Sequence, residues 1–456
     1  IFVNVVPEGK QSVPKGEVGN THTVALKADG TVWTWGNNTY GQLGTADNNA
    51  KATPVKVTAL ENVIDITVGN ENTMAVKADG TVWSWGYNGY GQLGDGTGSN
   101  RNKPVQVIKN NGTPLTKIVK ITSGNNKTIA LDTEGNVWAW GYGYESTATK
   151  LSKLENIIDI SADYAADQTG KVYKISDYTQ IEAEKVIRIS QGYNHTLFLR
   201  NDGKGYAIGN NEKGQLGQGN SKNTSKPVFI QNEYGTDAIK NIKELKAGKQ
   251  FSIALMKDGT TYVWGANENY KLATTQDTNQ MLPEKNDRIN KAISVDAGQN
   301  NGAMINKDGF VYTWGLGKYG ALGNKLYNTT DELTLVGRED VGLSSNNITI
   351  HPGEQYNLTV TNKTFNVIKD VVDNSQMNYT TGNSNIANIT QNGTITGIQT
   401  GKTTIEVNKE GTDYTSIAQV TVLPENVEIE PMALTNGSHT VILKANGTVW
   451  SYGLNS

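Results

Sequence analysis

The sequence predicts an all-β chain: a β-propeller of seven blades, or eight if a last copy joins the ring, together with a β-sandwich. Three observations predict it. One phrase recurs, as HTVALKADGTVWTWG at 22–36, NTMAVKADGTVWSWG at 72–86 and KTIALDTEGNVWAWG at 127–141, with looser copies at 195–209, 251–265, 302–315 and 439–453. Each copy alternates apolar residues up to a tight turn such as Asp29-Gly30, Asp79-Gly80 or Asn446-Gly447. Between Gly298 and Gly437 the rhythm breaks, and 139 residues pass before the phrase returns. A period near fifty residues means a stack of similar small units. Four short strands per period is the pattern of a propeller blade.

Within a unit the elements follow from residue chemistry. The turn residues favour positive φ, which Gly and Asn tolerate at low cost. Trp83 and Trp85, like Trp33 and Trp35 or Trp138 and Trp140, lie two apart and share one strand face. A lone hairpin cannot bury indoles of this size, so neighbouring sheets must cover them. An anchor glycine precedes each hairpin (Gly19, Gly69, Gly124, Gly192, Gly248, Gly298, Gly437), and YGQLG at 40–44 and 90–94 or GQLG at 214–217 follows the tryptophan strand. A short apolar strand completes the unit, as in VIDITVG at 63–69 and VIRISQG at 186–192. Between Gly124 and Gly192 the chain holds one compressed unit, where IIDIS at 157–161 keeps the anchor strand and AADQTGKVYKI at 165–175 keeps a hairpin without the tryptophans.

The insert reads differently. ITIHPGEQYNLTV at 348–360, NIANITQNGTITGIQTGKTTIEV at 385–407 and SIAQVTVLP at 416–424 are short alternating strands broken by Asn-Gly and Gly turns, as in a β-sandwich. Val367, Ile386, Ile389, Ile395, Ile398, Ile405, Val407, Val420 and Val422 are its expected core. The domain boundaries expected are 1–341 for the propeller, 342–424 for the sandwich and 425–456 for a further repeat hairpin, which either closes the ring or starts a second propeller. Excision of 343–424 is expected to leave the ring folded.

The recurring HT-x-AL-x-x-DG-x-VW-x-WG-x-N-x-x-GQLG phrase resembles the regulator of chromosome condensation repeat, a family that builds seven-bladed β-propellers, over about three-quarters of the chain. The pattern S-N-I-A-N-I-T-x-N-G-T-I-T-G-I-x-x-G-x-T-T-I resembles the bacterial Ig-like group 2 domain, which implies an Ig-like β-sandwich of the kind that serves as spacer or adhesive unit in surface proteins. The tryptophan that family often carries ahead of S-N-I-A is absent here, and Tyr379 is expected in its place.

Composition narrows the function. Forty-one basic against 44 acidic residues leave a net charge of −3 with no long run of one sign, which argues against a nucleic-acid partner. No stretch approaches twenty apolar residues, so no transmembrane segment is expected. Residues 1–6, IFVNVV, lack the charged lead and cleavage pattern of a signal peptide. The chain has no cysteine, which excludes disulfides, thiolate nucleophiles and cysteine metal sites. Three of its four histidines (His22, His195, His439) occupy one slot of the repeat, and the fourth, His351, precedes a Pro-Gly turn. Repeat structure therefore explains them better than catalysis. Asp29, Asp79, Asp202, Asp258 and Asp308 serve hairpin turns. No catalytic residue, cofactor or metal site is expected.

Five tyrosines in the loops after the tryptophan strand, Tyr40, Tyr90, Tyr144, Tyr270 and Tyr319, are the candidate protein-binding residues, since Tyr is favoured at interfaces. Their register with glycine also fits packing beneath the loop of their own blade. The expected function is a non-catalytic protein-binding or adhesion module of a secreted or cell-surface bacterial protein, with an unidentified protein partner. The alternative is a structural unit of an extracellular filament or array formed by self-association. Guanine-nucleotide exchange on a small GTPase, the role of the family's eukaryotic namesake, ranks below both, because its contact loops do not map onto residues here.

Overall fold

The computed structural model describes residues 12–337, 342–361, 363–368, 371–372, 377–409, 415–425, 427, 432–435, 439–443 and 449–453. By contact the chain divides into two units: Ile1–Arg338 with Phe365–Lys369, and Glu339–Thr364 with Asp370–Ser456. Five residues from inside the 342–424 segment thus belong with the propeller.

The first unit is a ring of seven sheets, each a four-stranded antiparallel meander. Blade 1 runs Lys15–Val18, His22–Leu26, Val32–Gly36 and Lys51–Lys56. The other blades span 63–106, 118–150, 157–181, 186–229, 242–285 and 292–335, so the compressed unit is a true fourth blade. Blade 1 packs directly against blade 7: the Val18 N–H donates to Asp296 Oδ2 at 2.7 Å, and Thr23 Oγ1 and Trp35 Nε1 both donate to the Ala321 carbonyl at 2.9 Å. The ring therefore closes at seven without the last hairpin. The hairpin region holds a separate three-stranded sheet of Met432–Thr435, His439–Leu443 and Val449–Gly453. The expected turn Asn446-Gly447 and anchor Gly437 lie outside the described residues.

Blade-to-blade packing explains the repeated phrase. Trp35, Trp85, Trp140, Trp264 and Trp314 are fully buried between blades. The Trp140 indole donates to the Gln92 carbonyl of the preceding blade's loop at 2.9 Å, and Trp264 does the same to Gln215 at 2.8 Å. The last glycine of that loop lies against the next blade's indole: a Cβ on Gly44 would sit 2.8 Å from Trp85 Nε1, and one on Gly94 the same distance from Trp140 Nε1. Both glycines also hold φ near +70°, so two independent constraints fix them. The first tryptophan of each pair, such as Trp33, is only half-buried, with its Nε1 on Thr31 Oγ1 at 3.1 Å.

Junctions between blades obey one rule. The residue ahead of the inner strand adopts a left-handed conformation: Asn62, Lys117, Asn156, Lys185, Asn241 and Lys291 have φ between 56° and 65°. Its carbonyl accepts the N–H of its own blade's hairpin turn, as Asn62 does from Ala78 and Asn156 from Gln168. For five of the six, the next N–H donates to the turn glycine of the preceding blade, as Val63 does to Gly30 and Ile157 to Gly135.

The second unit contains a sandwich. One sheet orders Asn347–Ile350, Thr415–Val422, Gly401–Lys409 and Met377–Thr381, with the first pair parallel; the other orders Gln355–Asn357, Thr394–Gly397 and Ala387–Ile389. Ile395, Ile405, Val407, Val420 and Val422 lie in its core as expected, and Ile386, Ile389 and Tyr379 pack at its margin. Two expected core residues do not. Ile398 is exposed, because it follows the strand end at Gly397. Val367 is buried in the propeller, against Ala25, Trp35, Ile305, Val311 and Val336.

Candidate functional site: the central channel and the tyrosine-bearing face

Inner strands enclose a channel holding a cavity of about 1350 Å3. Charged and polar side chains of these strands line the cavity together with apolar ones such as Ile64 and Val119. At one equivalent position of the inner strand, the third in blades 2 to 7 and the first of the shorter blade 1 strand, blades 1 to 7 carry Lys15, Asp65, Lys120, Asp159, Arg188, Glu244 and Ser294. Charge alternates around six of the seven. Lys15 pairs with Asp65 at 2.8 Å and Lys120 with Asp159 at 2.6 Å. Asp159 Oδ2 also accepts the Ile189 N–H of the next blade at 2.6 Å. Two residues on, Glu17, Lys246 and Asp296 form a second tier: Lys246 lies 3.2 Å from Asp296 and 3.9 Å from Glu17, which is 3.0 Å from Lys15.

Burial opposes ion pairing throughout this tier. It pushes the Asp296 carboxyl up to about 6, against the pull of Lys246. Burial also works against the charged form of Lys15, but attraction to Asp65 and then Glu17 outweighs it and holds the ammonium above its ordinary value. Lys246 is likewise raised by Asp296 and Glu17 despite burial. The lining is thus charge-matched and stitches blades together. Where the inner strands end, backbones touch: a Cβ on Gly192 would meet the Gly248 carbonyl at 2.2 Å, and one on Gly248 would meet the Gly298 carbonyl at 2.5 Å. Close approach alone requires these anchor glycines.

Two imidazole–hydroxyl pairs resemble catalytic dyads but are arranged otherwise. His22 Nε2 lies 2.9 Å from Thr73 Oγ1, and His195 Nε2 lies 2.8 Å from Ser252 Oγ, each across a blade junction. Those hydroxyls donate onward to the Gln42 and Gln215 carbonyls at 2.8 and 2.9 Å. The network therefore assigns the proton to Nε2, which donates to the hydroxyl and cannot take its proton. Burial lowers His22 to about 4 and His195 to about 3, so both are neutral at pH 7. Asn72 and Asn301 fill the same slot in blades 2 and 7. Among the described residues no group of three or more His, Cys, Asp or Glu could hold a metal ion, and no helix is long and apolar enough to cross a membrane.

In a four-stranded meander the first and third connections lie at one end. That end carries the tyrosines. Tyr40 is 36% exposed, Tyr90 47% and Tyr319 39%. Tyr40, Tyr87, Tyr90 and Tyr142 form a continuous run over blades 1 to 3, with successive ring centroids 5.1, 6.3 and 5.4 Å apart. Tyr142, 61% exposed, takes the place expected for Tyr144, which is half-buried against the core of blades 3 and 4. Tyr270 is also half-buried; it has slipped one place, into the left-handed slot that Gly41 fills in blade 1. The five sequence candidates thus separate: Tyr40 and Tyr90 join one run, Tyr319 stands apart on blade 7 beneath Lys318 Nζ at 4.9 Å, and Tyr144 and Tyr270 lie outside it. Sequence reasoning passed over Tyr87 and Tyr142, although both directly follow the Gly after the tryptophan strand. Beneath the run, Asn38 and Asn88 staple the loops: each Oδ1 accepts the N–H of Leu43 or Leu93 at 2.9 Å.

Seven radial sheets around a bore, built on one tryptophan-and-glycine phrase, define a repeat-type β-propeller. The chain belongs to the RCC1-like domain family, whose model matches residues 3–359, and the bacterial Ig-like domain (group 2) matches residues 339–422. It is 25% identical over 336 residues to the regulator of chromosome condensation of Xenopus laevis, covering 60% of this chain and 76% of that one. It is 31% identical over 324 residues to the protein pim1 of Schizosaccharomyces pombe, covering 56% and 59%. To the guanine nucleotide exchange factor SRM1 of Saccharomyces cerevisiae it is 24% identical over 275 residues, covering 60% and 48%. The chain thus spans under two thirds of both yeast relatives. Among solved structures, Prp20p of Saccharomyces cerevisiae matches with a TM-score of 0.45 at 23% identity, covering 72% of this chain and 78% of that one.

Proposed function

We propose that this chain is a non-catalytic protein-binding module of a secreted or cell-surface bacterial protein, and that it grips its partner with the tyrosine-bearing face of blades 1 to 3. The observation that carries this reading is the unbroken run Tyr40–Tyr87–Tyr90–Tyr142 on loops held rigid by Asn38 and Asn88. Tyrosines on a stiff scaffold give large contact area at low entropic cost. The bacterial Ig-like segment supports a place outside the cell. The imidazoles and channel carboxylates are committed to scaffold bonds, which supports a non-catalytic role.

The test is binding of the labelled chain to intact source cells, alongside a Tyr40→Ala, Tyr90→Ala, Tyr142→Ala variant. Saturable binding that weakens at least about tenfold in the variant is expected. Absence of saturable binding, or equal binding by both, would overturn the reading. A second reading, a unit of an extracellular array, draws on the restart of the repeat phrase in a three-stranded sheet separate from the seven blades. Concentration-dependent growth of particles in light scattering would favour it.

A further inference from the structure

The seam between blades 7 and 1 lacks what the other six junctions have, a continuous chain passing from one blade into the next. After Val336, whose N–H pairs with Val311, and Gly337, the chain runs into the second unit. Yet the hydrogen bonds of a junction are present at the seam. Val367 makes both: its carbonyl accepts the blade 1 turn amide of Ala28 at 2.6 Å, and its N–H donates to the blade 7 turn carbonyl of Gly309 at 2.9 Å. At a covalent junction two successive residues share these tasks.

The side chains of Phe365, Asn366 and Val367 also hold this segment in place. Val367 is fully buried between the first and last blades. The Phe365 ring packs on Trp33 and Trp35, with centroids 5.5 and 6.0 Å away at 66° and 71°. Asn366 Nδ2 donates to the Asp308 carbonyl at 2.8 Å, and Asn366 bridges to Phe310. On either side, Lys363–Thr364 pairs with Val371–Val372, so the segment is the tip of a short hairpin.

We propose that 365–368 is a clasp that completes the ring in place of the missing covalent junction. Closure of the propeller then depends on a segment whose flanks belong to the other unit, and releasing the clasp opens this seam alone. Excision of 343–424, which the repeat pattern alone would allow, removes the clasp.

Hydrogen exchange in the full chain tests it. Val367→Pro deletes the donor to Gly309 and perturbs the acceptor for Ala28. Amides of the blade 1 turn (27–31) and blade 7 turn (306–310) are expected to exchange at least about tenfold faster, while the turns at 167–170 and 200–203 in blades 4 and 5 keep their rates. Phe365→Ser, which leaves the backbone intact, is expected to shift the same two turns less, and Phe365→Tyr to restore them. Unchanged seam turns in both disruptive variants, or equal acceleration of all four turns, would overturn the proposal.

Discussion

The two buried histidines make acid stability a measurable property of the blade junctions. An unfolded histidine titrates near 6.5, whereas burial holds His22 near 4 and His195 near 3. Between those values the unfolded chain binds protons that the folded chain refuses. Stability is therefore fully present above about pH 6.5 and falls as the pH drops towards the folded values. From pH 7 to pH 5 each histidine costs about 2 kcal/mol, so the pair costs about 4 kcal/mol. Asp296 acts in the opposite sense: its carboxyl, raised to about 6, gains stability on protonation over the same range. The repeat itself supplies the control, because Asn72 and Asn301 occupy the same slot. A His22→Asn, His195→Asn variant keeps the Asp296 contribution and loses the imidazole one. Urea unfolding at pH 7 and pH 5, followed by tryptophan fluorescence, reads the difference. The variant is expected to lose about 4 kcal/mol less than the parent over this interval. A difference below about 1 kcal/mol would show that the imidazoles are charged or solvated in the fold, and the assignment of their tautomer would fail with it.

Three further outcomes follow from the packing. Trp85→Ala, which empties a fully buried indole site between blades, should cost about 3–5 kcal/mol in urea unfolding. Gly192→Ala drives a methyl into the Gly248 carbonyl and should cost more than about 2 kcal/mol, whereas Gly143→Ala, with φ +81° but open space, should cost only about 1–2 kcal/mol. Asp296→Ala removes the acceptor of the Val18 N–H and the partner of Lys246 at the seam; it should cost about 2–3 kcal/mol, and Asp296→Asn, which keeps an acceptor, clearly less.

The ring was legible because its signal is redundant. Five blades bury an indole beneath a neighbour's loop, and four of those indoles lie against that loop's last glycine, so the pairing of Trp85 with Gly44 repeats around most of the ring. Blade 4, without tryptophans, still shows in the spacing of IIDIS and the Asp167–Gly170 turn. What occurs once was hidden. Phe365–Val367 matches no repeat, and in sequence Val367 reads as one more apolar residue of the sandwich. The channel charges were hidden differently: Lys15, Asp65 and Lys120 stand about fifty residues apart, and their alternation emerges only when inner strands are set side by side. Tyr144 and Tyr270 part from the exposed run because blade 3 has a shortened loop and blade 6 a one-residue slip, and a single displacement turns an exposed ring inward.

Inner strands supply most of the bore's lining, and the anchor glycines set how near they come. Blade 4 reaches the same bore with 157–181 as blade 2 does with 63–106. Growth or loss of chain is therefore absorbed at the circumference, leaving the hub diameter untouched. A library randomised in the exposed loop stretches at 45–50, 95–100 and 218–223, beyond the glycines that meet the indoles, would inherit an unaltered hub, which makes this disc a natural frame for engineering new recognition.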